Sequence, residues 1–192
     1  MGLDMYLNKM PRYKYATAND VYAVESYLDW KKAKKDKSPY ANCTFYEWCH
    51  MDKPSKEHID FYSKYYEKKY SEWDIEKKYG HMGIIDNVAY WRKQNAIHRW
   101  FVDNIQDGED DCMYHAEVTK NDLRELLSLC QRVLLDNSLA NDLLPTQGGF
   151  FFGDTTYDEW YLQGIQETVD QIYKIFNTTD FEKEMIYYRS SW

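Results

Sequence analysis

Asp86-Asn87-Val88-Ala89-Tyr90-Trp91-Arg92-Lys93-Gln94-Asn95-Ala96-Ile97-His98-Arg99-Trp100-Phe101-Val102-Asp103-Asn104-Ile105-Gln106 is the stretch on which the reading of the fold turns. At 100° per residue, Ile97, Tyr90, Phe101, Ile105, Trp91 and Val102 fill an arc of roughly 140°, the width of an apolar helix face. The spacing therefore predicts one helix over 86–106. Gly108 breaks the chain just beyond it, inside the acidic run Asp107-Gly108-Glu109-Asp110-Asp111.

Downstream, Thr119-Lys120-Asn121-Asp122 is a capping-box variant. Leu123, Leu126, Leu127, Cys130, Val133 and Leu134 follow it at helical spacing, predicting a helix over 120–136. Thr156-Tyr157-Asp158-Glu159 is a full capping box, and its helix carries Leu162, Ile165, Val169, Ile172 and Phe176 to about 177. Phe150-Phe151-Phe152, between Gly149 and Gly153, reads as a short buried strand or a wedge. Residues 3–9, 113–118 and 184–189 read as strands, and the two chain-end strands are placed to pair. The fold class is α+β: a single domain over 1–192, with three core helices against a small antiparallel sheet.

Residues 20–80 have a different texture. There is no glycine between Gly2 and Gly80, and eleven of the nineteen tyrosines fall within 13–79. Asn19 is placed to cap a helix through about Lys34, with Val21, Val24, Tyr27, Leu28 and Lys31 at helical spacing. Thr44-Phe45-Tyr46-Glu47 reads as a capping box for a short helix ended by Pro54. Ser55 starts a third helix with Tyr62, Tyr65, Tyr66, Lys69 and Tyr70 as its stripe. Tyrosine stripes cover a core edge while leaving hydroxyls in water, so 20–80 is expected to be an appended Lys/Tyr-rich helical insert. The alternative is that it covers the sheet face and belongs to the core.

Composition bounds the function. The net charge is −8, with −10 of it in 81–192 and a balance of +2 before that. An acidic C-terminal half argues against direct nucleic-acid binding. No apolar run approaches the roughly 20 residues that span a bilayer, and the start lacks the pattern of a signal peptide. Tyr6 stands where a myristoylation motif has Ser or Thr. The expected location is the cytoplasm. Cys43, Cys49, Cys112 and Cys130 form no CxxC pair and read as free thiols, Cys130 packing as a small hydrophobe. No Walker loop, GxGxxG, GxSxG or HExxH is present, so no cofactor, metal site or catalytic residue is assigned.

Polar residues inside the aromatic stretch are the candidate ligand-binding set. Gln94 and His98 fall four apart within the apolar arc, so they are expected to bond to each other or to a neighbouring strand. The competing readings are a pocket with His98 as an acid–base group and a satisfied structural histidine. Arg92, Asn95 and Arg99 would share a neighbouring face, and arginine suits bidentate contact with carboxylate or phosphate. Their alternative role is bridging to Asp103 and the acidic loop, itself read as a solvated turn rather than a cation site. Trp91 or Trp160 would stack on a ligand.

Several blocks carry a family resemblance. They are Met1-Gly2-Leu3-Asp4-Met5-Tyr6-Leu7, Tyr90 through Val102, Gln106 through Cys112, Leu143 through Gly153, Tyr157-Asp158-Glu159-Trp160-Tyr161 and Tyr187-Tyr188-Arg189-Ser190-Ser191-Trp192. They resemble blocks in an uncharacterised family of small bacteriophage and prophage proteins, over residues 1–10 and about 84–192. The resemblance implies a phage origin and the cytoplasm of a bacterial host, and lends no catalytic residue. Small accessory phage proteins without enzyme motifs often act on host proteins. The expected function is therefore binding and inhibiting or modulating a host or anti-phage defence protein, with tyrosine-rich contacts suited to an interface. The alternative is a sponge for, or hydrolase of, a nucleotide or other anionic small molecule.

Overall fold

A computed structural model describes residues 2–50, 53–71, 84–112, 114 and 116–192. The fold is α+β with a three-stranded antiparallel sheet. Strands β1 (Asp4–Pro11), β2 (Asp86–Arg92) and β3 (Glu184–Ser191) lie in the order β2-β1-β3, so the chain-end strands do pair, with β1 in the centre. Between them run α1 (Ala18–Lys35), α2 (Ala41–Cys49), α3 (Lys56–Ser71), α4 (Asn95–Ile105), α5 (Lys120–Leu135), α6 (Ala140–Leu143) and α7 (Glu159–Thr178). The chain divides into two compact units, Met1–Asn8 with Asn87–Trp192, and Lys9–Asp86.

In the first unit, Met5 and Leu7 of β1, with Leu3 just before it, alternate inward and meet the stripes of α4, α5 and α7. Leu123, Leu126, Cys130 and Val133 of α5 are buried, as are Ile165, Val169 and Ile172 of α7. Both stripes are the ones the spacing predicts. Thr119 caps α5 with Asp122 as its reciprocal partner. Burial pushes the Cys130 thiol up to about 12, so this cysteine packs as an apolar group.

The expected helix 86–106 is corrected by the structure. Residues 86–92 are β2, and only 95–105 are helical. Within β2 the burial alternates, with Ala89 and Trp91 inward and Tyr90 and Arg92 outward. Adjacent aromatics over so short a run satisfy a helical arc and a strand alternation equally well. Lys93, in the left-handed region at φ 57°, makes the turn between the two elements. β2, not 113–118, is the third strand of the sheet. Within 113–118, Glu117 forms only an isolated antiparallel bridge with Tyr187, and Val118 N–H donates to the Ile186 carbonyl at 2.8 Å. Thr119, next in the chain, caps α5; Met113 and His115 lie outside the described residues.

Two further expectations change in this unit. The cap of α7 is Asp158 rather than Thr156, its Oδ1 accepting from Trp160 N–H and Tyr161 N–H at 3.0 Å each. The Phe150–Phe152 run is a turn, not a strand: Phe150 is 96% exposed while Phe152 enters the core.

The second unit has its own packing. Thr17, not Asn19, caps α1, because Asp20 completes a capping box with Thr17. Helix α2 starts at Ala41, so Thr44 falls within it; the side chains of Thr44, Tyr46 and Glu47 lie outside the described residues. Ser55 does start α3, its Oγ accepting from His58 N–H at 3.1 Å. Of the expected α3 stripe, Tyr62 and Tyr66 are buried, and the side chains of Lys69 and Tyr70 lie outside the described residues. The Tyr62 hydroxyl donates to Pro11 O and the Tyr66 hydroxyl to Asp29. These two hydroxyls are bonded within the unit rather than left in water.

Candidate functional site

The first unit encloses a cavity of about 450 Å³. One wall is the turn from β2 into α4, another the loop between Thr146 and Asp158, and the third the N-terminal part of α7 as far as Glu167. Asn95 fixes the loop to α4. Its Nδ2 donates to the carbonyls of Phe152 (3.2 Å) and Asp154 (2.7 Å), and its Oδ1 accepts from Gln147 N–H (3.0 Å). Tyr161 closes the floor by donating to Leu144 O at 2.9 Å, and burial pushes its phenol well above the ordinary range.

The acids of the lining are engaged locally. Asp154 accepts from the amides of Thr156 and Thr155, which holds its carboxyl below the usual value. Asp158 caps α7, and Glu167 accepts from Gln163 at 2.9 Å. Arg92 and Lys93 are exposed and make no ion pair among the described residues. Gly153, at φ 91°, lets the loop pass within van der Waals reach of Lys93: a Cβ there would lie 3.3 Å from Lys93 Cβ.

Gln94 points at α7, and Gly164 makes room for it. A Cβ on Gly164 would stand 1.9 Å from Gln94 Oε1. Gly164→Ala is therefore expected to push the Gln94 amide, the far end of a flexible and half-buried side chain, out of the slot at a net cost below about 1 kcal/mol, the gain in helix propensity offsetting part of the displacement. Adding Gln94→Ala should return the melt to wild type or above, because it empties the slot. A single variant destabilised by more than about 2 kcal/mol would show that Gln94 cannot leave the slot.

Of the candidate residues, Arg92, Gln94, Asn95 and Trp160 line this cavity; Trp91, His98 and Arg99 do not. Arg92 ends β2, so the expected shared helix face of Arg92, Asn95 and Arg99 is not formed. Arg99 is exposed and pairs with Asp103 at 3.4 Å, its alternative role. Trp91 is buried and donates to Thr168 Oγ1 at 3.0 Å, which removes it from any stacking role.

His98 is fully buried and bonds not to Gln94's side chain but to a neighbouring strand. Its Nδ1 is 2.7 Å from the Tyr188 hydroxyl, and its Nε2 is 3.0 Å from Asp110 Oδ2. A carboxylate only accepts, so Nε2 carries the proton and Nδ1 accepts from Tyr188. Asp110 also accepts from Trp192 Nε1 at 3.0 Å, so the acidic turn is tied to the core at this residue. Burial pushes the Tyr188 phenol well above its ordinary value, which keeps it a neutral donor.

The second unit presents an open depression lined by Tyr13, Lys56, Glu57, Asp60, Phe61 and Lys64. Tyr13 stacks on Phe61 at 4.1 Å and 23°. Lys64 Nζ lies 4.3 Å from the Phe61 ring and 4.9 Å from that of Tyr65. Glu57 accepts from Tyr13 and pairs with Lys14, and Tyr15 beside them is 98% exposed.

Sequence reasoning missed Lys93, Asp154, Asp158 and Gln163. Lys93 carried no signal, whereas Gly153 beside the triple phenylalanine marked a turn. No family model, curated protein or solved structure matches the chain.

Proposed function

We propose that this is a phage-encoded accessory protein that binds a host or anti-phage defence protein and modulates it. The observation that carries the reading is the aromatic and charged face of the second unit, where Tyr13, Tyr15, Phe61 and Lys64 lie at or near the surface around an open depression. Interfaces are enriched in aromatic side chains that offer apolar area with a polar handle. Lysine ammonium groups over the rings supply charge selectivity without burying an ion. The phage resemblance of the sequence supports the choice of a bacterial partner.

The test is affinity capture from bacterial lysate with the full chain, followed by the same capture with Tyr15→Ser/Lys64→Glu. Both side chains are exposed, so the variant is expected to keep its circular dichroism spectrum and melt. Recovery of one stoichiometric partner by the wild type, cut tenfold or more in the variant, supports the reading. Equal recovery by both, or no partner together with turnover of a small molecule, rejects it.

A further inference from the structure

We propose that the cavity of the first unit binds a mononucleotide, a planar base joined through a ribose to a phosphate. The site is separate from the aromatic face of the second unit, so the two readings stand or fall independently. Its volume of about 450 Å³ lies in the range of small-molecule sites.

Of the three acids in the lining, Asp154 is turned onto the Thr155 and Thr156 amides of its own loop, while Asp158 and Glu167 belong to α7 and its cap. Arg92 and Lys93, at the turn into α4, are the cations of the lining, and neither has an ion-pair partner among the described residues. Their ends both lie beside Gly2: a Cβ there would lie 3.1 Å from Lys93 Cε and 3.8 Å from Arg92 Nη2. Lys93 also holds a left-handed backbone with its stem laid on Gly153, a costly conformation for a lysine that fixes where the chain leaves the turn. A guanidinium beside an ammonium suits phosphate, the first as a bidentate fork and the second as a point charge.

The opposite wall is acceptor-rich. Asp158 and Glu167 each use one oxygen in a local bond and keep the other. Those oxygens suit the N–H groups of an amino-bearing base. Their charge also disfavours a bare polyanion, which would meet repulsion on that side. Trp160 is 75% exposed at the rim, leaving its ring available to stack on a base. A ligand with phosphate at one end and an amino-heterocycle at the other matches both walls; inorganic phosphate or a nucleoside alone matches one.

The experiment is titration calorimetry and thermal shift of the full chain with AMP, GMP, CMP and UMP, alongside adenosine, guanosine and inorganic phosphate. At least one amino-bearing nucleotide is expected to raise Tm, and its nucleoside to bind at least tenfold more weakly. Arg92→Gln/Lys93→Asn, which keeps a residue tolerant of positive φ at 93, should weaken the nucleotide tenfold or more. Trp160→Ala should weaken the nucleotide and leave any phosphate binding unchanged. Absence of a shift with every nucleotide at millimolar concentration overturns the proposal. Nucleotide binding that is indifferent to Arg92→Gln/Lys93→Asn overturns it equally, since the ligand then sits elsewhere.

Discussion

His98→Ala is expected to lower stability by about 3–5 kcal/mol, through lost packing and a buried hydroxyl deprived of its acceptor. The imidazole is fully buried, with its ring edge-on to Phe152 at 5.1 Å and Tyr188 tilted against it. Tyr188 in turn stacks flat on Phe101, at 4.2 Å and 7°. The histidine thus connects β3, α4 and the acidic turn through two bonds, neither replaceable by an apolar side chain. His98→Phe keeps an aromatic ring in place, adds a little volume and loses the bonds, so its expected cost is smaller, about 1–3 kcal/mol. Urea melts of the two variants separate packing from bonding. An alanine variant within 1 kcal/mol of wild type would show that the network does not hold the core.

Asn95→Asp, nearly isosteric, is expected to cost more than Asn95→Ala, whose loss should be about 2–4 kcal/mol. The asparagine amide gives two hydrogens to carbonyls of the 152–154 loop and takes one from Gln147. A carboxylate keeps the acceptor and replaces both donors by an anion facing two carbonyl oxygens. The loop that walls the cavity should then detach, which native-state hydrogen exchange at Gln147 would report. If the aspartate variant proved the more stable of the two, the assigned orientation of the amide would be wrong.

What the sequence revealed followed from period and capping chemistry. Helices α5 and α7 carry long Leu, Ile and Val stripes, and Thr119 and Asp122 state where α5 begins. The pairing of β1 with β3 was legible from the β-rich chain ends. β2 was not, since seven residues with two adjacent aromatics fit both periods and Gln94 offers no side-chain cap to mark where α4 begins. The cavity was half legible: Arg92, Gln94, Asn95 and Trp160 were singled out as polar or aromatic groups near one another in the chain or in the resembling blocks. Its other wall comes from more than fifty residues away, as the bond from Gln147 to Asn95 illustrates, and no local pattern encodes such a meeting. Of the two partners expected for His98, the strand is the one it bonds, through Tyr188, and not Gln94. The retreat of His98 from the cavity reflects the turn at Lys93, which re-aims every side chain that a continuous helix would have placed.

The order β2-β1-β3 also has a consequence for synthesis. The central strand is the earliest of the three to leave the ribosome, and its second neighbour is the last. Until residues 184–191 emerge, one edge of β1 has no strand to complete it, although its apolar face is already made. Pairing of β1 with β3 spans nearly the whole chain, which makes closure of the sheet a slow, late event. The nascent chain is therefore expected to depend on holding factors, or on slow elongation, until its final strand is released.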